Sequence, residues 1–148
     1  MAALTAARST WSRAISTFTA LMPTGYTAWE GATACIDTAN PGLVYPAYAG
    51  QSTLIPVGWF IGGSVNNQSG TGNVNVTFRF ISEVWLRNYD SVTGSGAVTI
   101  SSQFSEVYLA SDHEVTTTAG SNAKAGRVWD VNGDGVWVQQ PSSGQSSP

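Results

Sequence analysis

Apolar and polar residues alternate with a period of two along much of this chain, the pattern of strands covered on one face. In residues 74–80, Val74, Val76, Phe78 and Phe80 alternate with Asn75, Thr77 and Arg79. Residues 126–139 alternate in the same way on both sides of Asn132-Gly133-Asp134-Gly135, four residues suited to the positive φ of a tight hairpin turn. Pairing Val131 with Val136 sets Trp129 opposite Val138, so these four share one apolar face while Val128, Asp130, Trp137 and Gln139 share the other. A two-stranded ribbon is unstable by itself, so other strands must pack on this hairpin.

The rest of the chain supplies them. Ala32, Ala34 and Ile36 alternate with Thr33, Cys35 and Asp37, and Asn40-Pro41-Gly42 is turn chemistry, which predicts a hairpin returning through residues 43–45. Its small residues imply close approach of another sheet or subunit. Residues 54–61 are nearly continuous in hydrophobicity and read as a buried strand, in which Pro56 fits only at an edge, an end or a bulge. A solvent-facing loop rich in Gly, Asn and Ser is predicted at 62–73, a continuation of the 74–80 strand with Trp85 at 81–86, and a turn-rich break at 87–96. Shorter pieces follow at 98–100, 104–109 and 115–118, the last after the charged turn Asp112-His113-Glu114.

These signals predict an all-β fold, a small β-barrel or β-sandwich of about eight short strands with an extended N-terminal arm. Residues 1–24 form the arm, 25–140 a β-rich body and 141–148 a flexible tail of Ser, Gly and Pro. Positions 11, 15, 18 and 22 would share a helical face, but Ser, Thr and β-branched residues fill the gaps and helix propensity is poor. An extended arm whose Trp11 and Phe18 dock on a neighbour is the preferred reading; folding back on its own domain is the alternative.

Composition narrows the functional classes. Only 10% of the 148 residues are charged, against about 25% in an average soluble domain, so Ser, Thr, Asn and Gly form much of the surface. Such a surface suits being covered by other protein. A net charge of -3 with six Lys plus Arg leaves no basic footprint for nucleic acid. Cys35 is the one cysteine, so an intrachain disulfide and a Cys-based zinc site are both excluded, and a reducing compartment is expected. The first residues lack the apolar core of a signal peptide, and no 18-residue apolar run could cross a bilayer, so a soluble, non-exported product with no membrane partner is expected. The triplets Asn67-Gln68-Ser69 and Asn75-Val76-Thr77 then carry no glycosylation meaning.

Candidate chemistry is sparse. Residues 130–135 match the opening of a calcium loop, but its twelfth position, which needs a bidentate Glu, is Pro141; turn chemistry explains the match. His113, the single histidine, lies between Asp112 and Glu114 with no nucleophile elbow in the chain, and reads as a surface turn. No catalytic, cofactor-binding or metal-binding residue is therefore assigned, and the expectation is a non-enzyme without cofactor. Six Trp remain to be explained, each able to bury about 150–250 Å². Trp59, Trp85 and Trp129 fall in strand patterns and read as core; Trp11, Trp29 and Trp137 do not, and read as interface anchors, carbohydrate-stacking platforms or ordinary half-buried rings.

Several segments together resemble the small capsid decoration, or cement, proteins of tailed bacteriophages: residues 3–10, Trp29-Glu30-Gly31-Ala32-Thr33-Ala34, residues 76–80, and most closely residues 107–118, 125–131 and 135–138. The resemblance implies a β-rich body on the outside of a phage head and an arm reaching to neighbouring subunits. It departs at Trp11-Ser12-Arg13, where the family tends to Pro and basic residues. The implied partners are the major capsid protein and further copies of the chain, a homotrimer before a dimer, with the virion surface as location and the host cytoplasm during assembly. Arg8, Trp11, Arg13, Phe18, Trp29 and Trp137 are the expected interface residues, Arg8 and Arg13 pairing with capsid carboxylates. A virion-surface carbohydrate-binding or tail- or fibre-associated β module is the alternative.

Overall fold

The computed structural model describes residues 17–80 and 86–139. It is all-β. Among these residues twelve strands form in chain order: β1 (Thr17–Met22), β2 (Thr27–Ala28), β3 (Thr33–Asp37), β4 (Val44–Pro46), β5 (Leu54–Phe60), β6 (Val65–Asn66), β7 (Val74–Phe80), β8 (Leu86–Ser91), β9 (Glu106–Leu109), β10 (Glu114–Thr116), β11 (Lys124–Asn132) and β12 (Gly135–Gln139), with one 3₁₀ turn at Ile100–Ser102. The first half makes a five-stranded antiparallel sheet in the order β1-β7-β5-β3-β4, with β2 and β6 paired beside it. The second half makes a closed barrel in the order β10-β8-β12-β11-β9, shut by the pairing of β9 with β10.

Each part has its own apolar core. Inside the barrel Tyr89, Val107, Leu109, Val115, Val128, Val136 and Val138 are buried, and Cys35, Tyr45, Ala47 and Leu54 of the sheet pack against them. On the other face of the sheet Met22, Ala34, Val44, Val57, Phe60, Val76 and Phe78 form a second cluster. β3 is therefore covered on both sides, Ala34 facing one core and Cys35 the other, and its small side chains let the barrel approach closely. Thr33 N donates to Asp112 O at 2.8 Å across this junction, and the Arg87 guanidinium lies 5.1 Å over the Trp59 ring and donates to Gly31 O.

Pro56 sits where the β3–β5 register shifts, and β5 pairs with β7 only through Gly58, Trp59 and Phe60, so the missing N–H leaves no ladder bond unmade on that side. At Gly58 a Cβ would come within 1.6 Å of Arg79 O, which explains a glycine in mid-strand.

Several expectations change. Residues 17–22 belong to the body, not to an arm: β1 pairs along its length with β7, and Phe18 stacks on Phe78 at 6.0 Å and meets Phe80 edge-on at 5.7 Å. A strand covered by a strong alternating partner is stabilised by that partner, which the polar composition of 17–22 conceals. The turn-rich break at 87–96 begins as strand β8, held between β12 and β10 with Tyr89 turned into the barrel. The loop at 62–73 contains β6, and Asn67 within it is buried, donating to Met22 O and Gly72 O. Residues 1–16, with Arg8, Trp11 and Arg13, residues 81–85 with Trp85, and the tail 141–148 lie outside the described residues.

Candidate contact surface

The C-terminal hairpin keeps the expected pairing of Val131 with Val136 but not the pairing beyond it. Asp130 faces Trp137 and Val128 faces Val138, because a bulge inserts Trp129 between them. The extra residue moves Val128 to the inner face with Val136 and Val138, and turns Trp129 outward to 43% exposure. Trp129 is thus surface, not core. The spacing of Val128 and Val131 carried the signal: two valines three residues apart on one strand, one buried and one half-buried against the same core, require a bulge. Positive φ at the turn falls on Gly135 alone of the four turn residues, at 124°.

A second local feature faces Trp129. Phe104 has φ of 69°, the one non-glycine of positive φ among the described residues, and it is 53% exposed. Left-handed backbone costs a side-chain-bearing residue about 1–2 kcal/mol, and such conformations persist where their surroundings over-determine them. Here they do. Phe104 N donates to Val128 O at 2.7 Å and Val128 N to Ser105 O at 2.9 Å, so the loop after the 3₁₀ turn is clamped to β11. Arg127 donates to Phe104 O at 2.9 Å, and Gln103 Nε2 to Trp129 O at 2.8 Å. The Phe104 and Trp129 rings meet edge-on with centroids 5.5 Å apart, and Trp129 Nε1 donates to Gln139 Oε1.

Ile100 is exposed at 58% in the 3₁₀ turn that leads to Phe104, and exposed Leu86 stands across β12, opposite Gln139. Phe104 and Trp129 are thus held on the outer wall of the barrel by hydrogen bonds to their own backbone and, for Trp129, its ring nitrogen. Phe104 was missed in the sequence because it reads as the first residue of a strand; its polar neighbours Ser102, Gln103 and Ser105 were the available hint.

Trp137, half-buried, stands on the same outer wall opposite Asn88 and Asp130. Trp29 does not join it: it is 60% exposed in the turn between β2 and β3, where its carbonyl accepts from Ala32 N. Phe18 is engaged inside its own sheet and is not available as an outward anchor.

The polar clusters are local turn chemistry. Asp130 accepts from Val131 N and Asn132 Nδ2, and Asn132 Oδ1 from Asp134 N, so the side chains of the calcium-like sequence bind each other and the hairpin backbone. Ser111, Asp112 and His113 bring together the three side-chain types of a hydrolytic triad, yet Asp112 Oδ1 at 2.9 Å and Ser111 Oγ at 3.4 Å both meet His113 Nδ1. A relay needs the acid on one ring nitrogen and the nucleophile on the other. Ser111 Oγ instead donates to Glu114 Oε1 and accepts from His113 N and Glu114 N, which shapes the turn. The Asp112 hydrogen bond raises the His113 pKa above its usual value, with Glu114 and Asp90 adding to it and partial burial opposing.

No family model, curated protein or solved structure matches the chain.

Proposed function

We propose that this protein is a non-enzymatic virion structural protein, a capsid decoration or cement protein that binds the outside of the major capsid lattice and stabilises the head against the pressure of packaged DNA. The observation that carries the reading is the Phe104–Trp129 pair: two large rings held outward, one against a backbone penalty, on a protein with little surface charge. Pre-organised aromatic anchors are what a protein partner uses as a binding hot spot. The segments resembling decoration proteins, residues 107–118 and 125–131, include β9, β10 and the bulged strand that carries Trp129.

In this reading an interface of about 1,600 Å² forms at each lattice site, and ties between neighbouring copies turn modest single-site affinity into strong retention. Closed symmetry is the physical expectation, a trimer at threefold positions before a dimer at twofolds. Neither nucleic acid nor membrane is a partner, no cofactor is needed, and the protein passes from host cytoplasm to the outer surface of the virion. Arg8 and Arg13 are assigned to capsid carboxylates, with Trp29 and Trp137 as further contact residues.

The test is sedimentation of purified phage heads with added protein, wild type against Phe104→Ala/Trp129→Ala, with circular dichroism to confirm that both fold. The wild type should saturate the heads and the double variant should not. Full occupancy by the double variant, or absence of the wild-type chain from purified heads, overturns the proposal. The runner-up, a carbohydrate-binding module, has exposed Trp29 as its observation, and quenching of tryptophan fluorescence by glycans would favour it.

A further inference from the structure

The hairpin turn at 132–135 holds a reactive arrangement. Asn132 is the one asparagine of the chain followed by glycine; every other asparagine precedes a bulkier residue. Asn132, Gly133 and Asp134 are all exposed. Asn132 Oδ1 accepts from Asp134 N at 2.9 Å, and this bond closes a ring over the Gly133 peptide to which Asn132 Cγ and Gly133 N both belong. The Asp134 N–H therefore lies on the oxygen where negative charge gathers when Gly133 N attacks Cγ. Asn132 Nδ2, the group such an attack expels, is held apart by donating to Asp130 Oδ2 at 3.0 Å. The fold itself does not demand glycine at 133. A Cβ there would meet nothing within 4 Å, and positive φ in the turn belongs to Gly135, where a Cβ would lie 2.5 Å from Tyr89 O. What glycine does supply at 133 is an unhindered backbone nitrogen.

We propose that Asn132 is a self-modification site, at which the folded protein converts this asparagine to aspartate and isoaspartate without an enzyme. The bond from Gly133 N to Asn132 Cγ forms as the Cγ–Nδ2 bond breaks. The Gly133 amide proton leaves with Nδ2 as ammonia, and a cyclic imide remains. Water then opens the imide. Addition at Cγ restores the main chain and leaves an aspartate side chain, whereas addition at the main-chain carbonyl leaves isoaspartate. Nothing is oxidised or reduced, and water is the only co-reactant. Either product has a carboxylate where Asn132 donated to Asp130, so that bond is lost and a negative charge is added beside Asp130 and Asp134. In isoaspartate the main chain is also longer by one atom at the residue paired with Gly135, which disturbs the end of the β11–β12 ladder. The site needs only the folded chain and water, so it is independent of the capsid reading.

Purified full-length protein is incubated at neutral pH, once folded and once denatured in guanidinium chloride. Trypsin then releases residues 128–148, in which Asn132 is the only asparagine. Mass spectrometry should show this peptide gaining the mass of an amide-to-acid exchange, fragmentation should place the change at position 132, and an isoaspartyl methyltransferase should label part of the product. The folded protein should convert at least as fast as the denatured one, because only the fold holds the Asp134 N–H on Asn132 Oδ1. Gly133→Ala, whose methyl has open space, should keep the native circular dichroism and lose nearly all conversion. A folded protein that converts more slowly than the denatured chain, or a Gly133→Ala protein that converts as fast as wild type, overturns the proposal.

Discussion

The barrel and the five-stranded sheet are built from similar alternating strands, yet they meet their surroundings differently. In the barrel every strand has two neighbours, so no ladder is left open and its wall can offer only the side chains placed on it. Outward aromatics there have to be held by local devices, the bulge at Trp129 and the left-handed backbone at Phe104. In the sheet β1 and β4 each have one full partner, and beside the single bridge between these edges, Leu21 to Leu43, a shallow cleft opens. Closure thus leaves individually positioned side chains, and not backbone edges, as what the barrel wall presents.

The largest expected effect separates the two regions by burial. Leu109, fully buried in the barrel, should cost about 2–5 kcal/mol when changed to Ala. Leu21, exposed at the open edge of the sheet, should cost under about 0.5 kcal/mol despite lying on the bridge to Leu43. Urea denaturation of both variants measures this, and equal costs would mean that the sheet edges are shut as firmly as the barrel.

A smaller effect isolates the backbone penalty on the barrel wall. Both Phe104→Ala and Phe104→Gly remove the ring contact with Trp129, but only glycine relieves the positive φ. The Gly variant should be the more stable of the two by about 1 kcal/mol, while both lose head binding. A Gly variant no more stable than Ala would show that Phe104 is held without strain.

The smallest effect concerns the turn that joins barrel to sheet. The folded-state pKa of His113 is raised, first by Asp112, so protonated His113 favours the folded state. That contribution is complete below the ordinary value of 6.5 and is lost as pH rises through the raised folded value. Being exposed, the group should give only a shallow slope, seen as a falling urea midpoint over that window and absent in His113→Gln. A midpoint that rises over the same window contradicts the assignment.

What alternation alone determined was the all-β class, the strand at 74–80, the hairpin through 40–42 and the turn at 132–135, since period-two patterning and turn residues act over a few neighbouring positions. It also pointed to a close neighbour beside the small residues of β3, which is the barrel. Local pattern could not reveal that polar β8 would be a central strand, because its pairing comes from β12 and β10, far along the chain. Nor could it place Trp129 and Phe104 on the surface: one depends on a single inserted residue in a cross-strand register, the other on hydrogen bonds between Phe104 and Val128, which lie 24 positions apart. Register and closure are properties of strands already assembled, so the tertiary structure decided which rings face outward.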